Sequence, residues 1–426
     1  MADTPDAVSD QRSTPDAPAP SVKAPFGRSK LTVAIVVAAV FVVAAATALY
    51  VTTSNSSSSS GGGNGLAGAT TPTTAEAVHV LVQPPDGATN VALDTIVSVT
   101  AATGRLNSVS VTAPDGTAVA GALDPGGAAW RSTGTLALKT AYTVTVDAKM
   151  PSGHSAQQVS HFQSLVPTAV LSATVTPAAG LTVGVAQPIV LRFNHSVTNK
   201  DALVAQLHVT ESTPVAGGWH WFSSRELHFR PQVYWPSGEK VSITANLNGF
   251  DAGGGVWGEE TTTSNFVVGD AHVTTVNVAT HVMTVTSNGQ PVATYPISAG
   301  RTKYPTMNGI HIDLYRQQDV HMVSSTVGIP VNSADGYDEH VYWDVNISDG
   351  GEFVHAAPWS TGAQGNSNVS HGCVNLSVAN ATSFYNFSRI GDVIQVVGSP
   401  RPPDLGDHGT MDWNLSWDQW TPAATS

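Results

Sequence analysis

From about residue 78 onward, apolar and polar residues alternate with a period of two, and turn residues interrupt the pattern roughly every ten positions. That pattern restricts the chain to β-rich architectures, because strands place successive side chains on opposite faces. It also repeats. "PDGATNVALDTIVSV" (85–99) aligns with "PAAGLTVGVAQPIVLRF" (177–193), Gly87 falling on Gly180 and Ile96 on Ile189. Each copy is followed by a Trp, an alternating strand, a turn and a second strand: "LALKTAYTVTV" in one, "LHFRPQVYWPSGEKVSI" in the other. Two units, 78–166 and 167–268, therefore read as β-sandwiches. Their histidines, His154, His161, His195, His208, His220 and His228, show no metal-ligand spacing, so spacers or docking modules are the natural reading.

The N-terminal part has a different texture. Leu31 to Val51 is a run of 21 residues with no charge, preceded by Lys23, Arg28 and Lys30. About 20 apolar residues cross a hydrocarbon core as a helix, whereas a signal peptide's apolar region spans only about 7–15. The run is expected to be an uncleaved transmembrane anchor. Its flanking positive charge is expected to keep residues 1–30 in the cytoplasm and to put everything after Val51 outside; the resemblance given below implies that this outside is the cell wall space. Residues 52–77 are rich in Ser, Gly and Thr and read as a flexible linker, with a span on the order of 30 Å. The formal net charge of −13 and the lack of a basic patch argue against a nucleic-acid partner.

Beyond residue 269, "HVTTVNVATHVMTVTSNGQPVATYPIS" alternates on both sides of Asn288-Gly289, which predicts a hairpin with a type I′ turn. The stretch Thr302–Val345 is long and less regular, and reads as a loop-rich lid. A strand at "GEFVHAAPW", a Gly/Ser/Asn loop at 360–370, a helix at "VANATSFYNFSR" and a strand at "GDVIQVVG" follow. Trp413, Trp417 and Trp420 fall on one face if the tail is helical, and the tail (399–426) is expected to pack on the domain before it, 269–398.

Cys373 is the single cysteine of the chain. In an exported protein it cannot form an internal disulfide, so it is either inert or reactive. Catalysis by a cysteine ordinarily calls for a lowered thiol pKa and an imidazole able to move protons. Two histidines qualify. His371 lies two residues away, and His355 would face Cys373 if "FVH" and "CVN" form adjacent strands; spacing alone does not choose between them. Gly372 removes a side chain beside the thiol, and its amide with that of Cys373 offers an oxyanion site.

The run "HAAPWSTGAQGNSNVSHGCVNLS" resembles the active-site signature of L,D-transpeptidases with a YkuD-type catalytic domain. "PVNSADGYDEHVYWDVNISDGGEFVHAAPWS" and "DWNLSWDQW" resemble the mycobacterial and related actinobacterial members, which combine a membrane anchor, two immunoglobulin-like domains, a catalytic domain and a Trp-rich extension. The resemblance implies a mainly β protein with its catalytic domain at 269–398. It makes Cys373 the nucleophile and His355 the general acid/base, with the imidazole oriented by the carbonyl of Ala356. Ser370, His371 and Asn375 would shape the site. Amides of Tyr337, Gly372 and Cys373 would form the oxyanion hole, and Met322, Trp343 and Trp359 would line the substrate channel. The implied reaction joins peptidoglycan stem peptides by 3→3 cross-links through a thioester, releasing terminal D-Ala from a donor tetrapeptide, with no cofactor or metal. Carbapenem-type β-lactams would acylate the same thiol. The rivals are an L,D-carboxypeptidase using the same site, a cysteine peptidase acting on proteins, and a non-catalytic wall-binding protein.

Overall fold

A computed structural model describes residues 79–421. The expected anchor at 31–51 and the linker at 52–77 lie outside the described residues; among those described, no helix is long and apolar enough to cross a membrane.

The first sandwich packs a sheet ordered Val80–Gln83, Ser98–Ala101, Ala129–Ser132, Gly121–Leu123 against one ordered Ala88–Val91, Ser155–Ser164, Ala141–Lys149, Arg105–Thr112. In Ala141–Lys149, Tyr142, Val144, Val146 and Ala148 are buried and the residues between them are half-buried. These inward residues meet Val99 and Trp130 of the facing sheet, which is how period-two alternation becomes a core. The second sandwich is built on Ile189, Leu191, Phe193, Leu227, Phe229, Trp235, Ile243 and Phe266. Its core does not end at the domain boundary, because Ile312 and Val393 of the following domain belong to the same buried cluster. These two domains are therefore cemented by shared apolar burial, at about 25 cal/mol per Å².

The last domain has two sheets. One is ordered β3-β2-β1-β9-β4, from β1 (His272–Asn277), β2 (Val282–Ser287), β3 (Gln290–Pro296), β4 (Gly309–Ile312) and β9 (Val393–Val397). The other is ordered β5-β6-β7-β8, from β5 (Tyr315–Val323), β6 (Asp338–Asn346), β7 (Phe353–Ala356) and β8 (Val374–Leu376). Helix α1 (Val378–Phe387) packs Ala381 and Phe384 into the core that the two sheets share. Ser377 caps its first turn by accepting from the Asn380 amide, and Arg316 donates to the carbonyls of Tyr385 and Ser388 at its end. Asn288 and Gly289 take φ of 50° and 78°, as the type I′ hairpin between β2 and β3 requires.

Two expectations change here. About half of Thr302–Val345 is strand: β5 and β6 form a long hairpin with an irregular tip around 324–337, and 302–308 is loop. No residue of β5 is fully buried, and its first half, Tyr315 to Asp319, has no apolar alternation to reveal it. The tail divides: Arg401, Asp407 and Asn414 bond to Glu352, Ser348 and Ile310 of the catalytic domain, whereas its tryptophans seat on the second sandwich. Their rings lie 4.7, 5.3 and 4.6 Å from the Arg230 guanidinium, for Trp413, Trp417 and Trp420 respectively. The indole N–H of Trp413 donates to Ala186 O at 2.8 Å, and that of Trp420 to Gly218 O at 2.8 Å. A buried cation draws aromatic faces that the catalytic domain does not attract. Arg230→Ala removes three such contacts and the bond to Leu415 O, and is expected to cost roughly 2–3 kcal/mol. A denaturant melt with tryptophan fluorescence measures this.

Candidate active site

The site grows from one parallel strand pair. β7 and β8 set His355 opposite Asn375. Cys373 lies one residue before β8, and its side chain lines the same cavity as those of His355 and Asn375. His355 is buried, and its Nδ1–H donates to the Ala356 carbonyl at 2.9 Å. That bond assigns the tautomer and leaves Nε2 as the free lone pair. Asn375 is also buried; its Nδ2 donates to Ser360 Oγ at 3.1 Å, while its Oδ1 has no partner.

The turn before β8 places the thiol. Ser370 Oγ donates to Cys373 O at 2.6 Å and accepts from the Gly372 amide at 3.1 Å. Gly372 takes φ of +135°, and a Cβ there would lie 3.0 Å from Glu352 Oε1, so only glycine fits. Thr306 Oγ1 donates to Gly372 O at 2.7 Å and closes the turn from below.

In this resting arrangement the thiol donates to Gly351 O, with 3.7 Å between Sγ and O, and makes no hydrogen bond to His355. Burial pushes the Cys373 thiol up to about 12, with the carboxylates of Glu352, Asp344 and Glu339 adding to the effect and the Phe353 N–H opposing it. Burial also pulls His355 down to about 4, against its bond to Ala356. The thiol is thus raised, not lowered as sequence reasoning anticipated. The resting pair is neutral thiol and neutral imidazole, a geometry for general-base activation rather than a standing thiolate.

Two cavities meet at the sulfur. One, of about 150 Å³, is lined by Met322, Glu339, His355, Trp359 and Asn375. The other, of about 340 Å³, is lined by Lys303, Tyr304, Glu352 and Arg401. Tyr337, His371 and Cys373 border both. His371 accepts at Nε2 from Arg301 at 2.7 Å and packs against Tyr304 and Tyr337 at 5.0 and 5.1 Å between ring centroids. Arg301 also ion-pairs with Asp335 of the hairpin tip, so His371 is clamped to the lid while His355 has an open nitrogen.

Of the three expected oxyanion amides, that of Tyr337 is taken by Ser324 Oγ at 3.1 Å and that of Gly372 by Ser370 Oγ. The Cys373 amide has no partner among the described residues. Trp343 is a correction: it borders neither cavity and packs edge-on to Tyr385, with 5.5 Å between centroids. It sits at a bulge where β6 slips against β7, with φ of 62°, and that extra residue turns its side chain into the core. Sequence reasoning missed Glu352 and Arg301. Both are isolated charges without motif spacing, and only the fold brings them to the thiol.

Residues 271–396 match the L,D-transpeptidase catalytic domain (YkuD), and residues 88–251 match the bacterial Ig domain. The chain is 39% identical over 335 residues to L,D-transpeptidase 2 of Mycobacterium tuberculosis (strain CDC 1551 / Oshkosh), covering 79% of this chain and 82% of that one. The chain belongs to the L,D-transpeptidase family. It is also 33% identical to L,D-transpeptidase 5 of Mycobacterium tuberculosis (strain H37Rv), covering 81% of this chain and 76% of the relative. A solved L,D-transpeptidase in complex with imipenem is 35% identical, with a TM-score of 0.48 over 54% of this chain and 100% of that one.

Proposed function

We propose that this L,D-transpeptidase builds 3→3 cross-links in peptidoglycan, with Cys373 as nucleophile and His355 as the proton carrier. The observation that carries the reading is the Nε2 of His355, left with its lone pair by the Nδ1 bond to Ala356 O, lining one cavity with the thiol while a second cavity opens on the sulfur's other side. The thiol leaves Gly351 O and swings toward His355 Nε2, which takes its proton as Sγ attacks the carbonyl carbon of the donor stem's third residue. The oxyanion gathers at the Cys373 amide. His355 returns the proton to the departing nitrogen, the C–N bond to terminal D-Ala breaks, and a thioester remains. The side-chain amine of an acceptor stem then gives a proton to His355, attacks the thioester and restores the thiol. Two cavities at one sulfur suit two stems better than one stem and water, which favours transfer over carboxypeptidase hydrolysis. Met322, Tyr337 and Trp359 would hold the stems, Ser370 and Asn375 would hold the strand pair in register, and Gly372 would keep the approach open.

Carbapenems would acylate Cys373 by the same attack, opening the lactam C–N bond and protonating its nitrogen. We further propose that residues 31–51 anchor the enzyme in the cell membrane with the catalytic domain outside, a reading supported by the uncharged run and its flanking Lys and Arg. Incubation with a disaccharide-tetrapeptide is the test of transfer. Mass spectrometry is expected to find a dimer lacking one D-Ala; tripeptide alone, at saturating acceptor, would instead mean carboxypeptidase activity.

A further inference from the structure

The carbonyl that holds the resting thiol belongs to Gly351, in the short loop 348–352 leading into β7. That loop is fastened from outside its own sheet. Asp407 Oδ2 accepts from Ser348 Oγ and from the Gly350 amide, the latter at 3.1 Å. Asp349 Oδ2 accepts from His408 at both the amide, 3.2 Å, and Nδ1. The opposite nitrogen of the same ring, His408 Nε2, reaches Glu226 Oε1 of the second sandwich at 2.7 Å. Glu226 is held in turn by His228 Nε2 at 2.9 Å and by Arg192 at 3.0 Å, and His228 Nδ1 is bonded to buried Asp412 at 2.7 Å. An unbroken chain of contacts thus runs from the second sandwich to the sulfur, through Glu226, His408, Asp349 and the Gly350-Gly351 backbone.

We infer that Glu226 and His408 are positioning residues for the nucleophile, through which the second immunoglobulin-like domain sets the place of the Gly351 carbonyl and so the resting orientation of the Cys373 thiol. The charges are right for a tight link. Hydrogen bonds to Asp349 and Glu226 push His408 up to about 10, so it is a cation gripped between two carboxylates at neutral pH. The backing is also rigid, because the second sandwich and the catalytic domain share one buried cluster. An imidazolium with both nitrogens engaged has no freedom to let Asp349 drift. Loosening it lets the loop move away from the sulfur. The thiol then loses its acceptor and gains water, so it ionises at lower pH while fitting the acylation geometry less well.

The inference rests on Cys373 being the nucleophile, and the experiment separates the two. In the full chain, imipenem acylation is followed by mass spectrometry, and iodoacetamide alkylation of Cys373 is followed as a function of pH. Glu226→Gln and His408→Asn are each expected to slow acylation by about 3–10-fold and to shift the onset of alkylation to lower pH. The double variant should be no slower than the worse single one, because both break the same link. Arg192→Gln, which removes a partner of Glu226 off this path, should leave both readouts at the wild-type values. If either link variant fails to fold, Asp349→Asn breaks the same contact at a half-exposed position. Link variants with wild-type acylation and alkylation profiles would overturn the inference, as would an equal deficit in Arg192→Gln. A wild-type chain with no adduct would overturn the functional reading instead.

Discussion

Cys373→Ala is expected to take up no carbapenem and to form no cross-linked dimer, a loss on the order of 10⁴-fold or more. The site leaves no substitute. Cys373 is the chain's single thiol, and the hydroxyl nearest to it in sequence, that of Ser370, is committed to Cys373 O and the Gly372 amide. Intact-protein mass spectrometry after imipenem treatment reads the result directly. Folding should be little affected, since the thiol's hydrogen bond to Gly351 O is weak and the substitution removes a single atom at the edge of two cavities. An adduct on Cys373→Ala, or dimer formation at more than about 1% of the wild-type rate, would rule out the thioester mechanism.

His355→Ala should cost about 10²–10⁴-fold in acylation and should also change its pH dependence. In the wild-type enzyme His355 must be neutral to accept the proton, and it is so well above about 4. The thiol stays protonated until the pH approaches about 12. Neither partner titrates between about pH 6 and 9, so acylation should change there far less than tenfold per pH unit; the group beside the thiol that ionises in that window is Glu352, pushed up to about 7 by burial. Without His355, only the small thiolate fraction reacts, and the residual rate should climb close to tenfold per pH unit. Rates of β-lactam absorbance loss for both proteins across that range measure the contrast. A wild-type rate that itself rises tenfold per unit would mean that the thiolate forms without His355.

The motif was legible because its parts are local. Ser370, Gly372, Cys373 and Asn375 sit within six residues, and each is needed for backbone or strand reasons that sequence spacing expresses. His355 was legible as a candidate because strand pairing is a short-range inference across one loop. Spacing left the choice between His355 and His371 open and only the family resemblance made it, since its physical basis is which nitrogen is free. Arg301, 70 residues before His371, occupies one; Ala356 O holds the wrong nitrogen of the other. Trp343 misled for a similar reason. Strand alternation alone cannot show a bulge, and the bulge decides which way the indole points.

By itself the sequence determined the β-sandwich repeats, the Asn288-Gly289 hairpin, the candidate nucleophile and the family, because period-two burial, turn chemistry and a contiguous motif are all encoded over short distances. The tertiary structure alone decided the protonation states, the resting partner of the thiol and the seat of the tail. Each of these depends on burial and on charges brought together from far along the chain: Glu352 against Gly372, Arg230 beneath three indoles, and His408 between Glu226 and Asp349. Burial and long-range electrostatics are properties of the packed volume, and no local spacing records them.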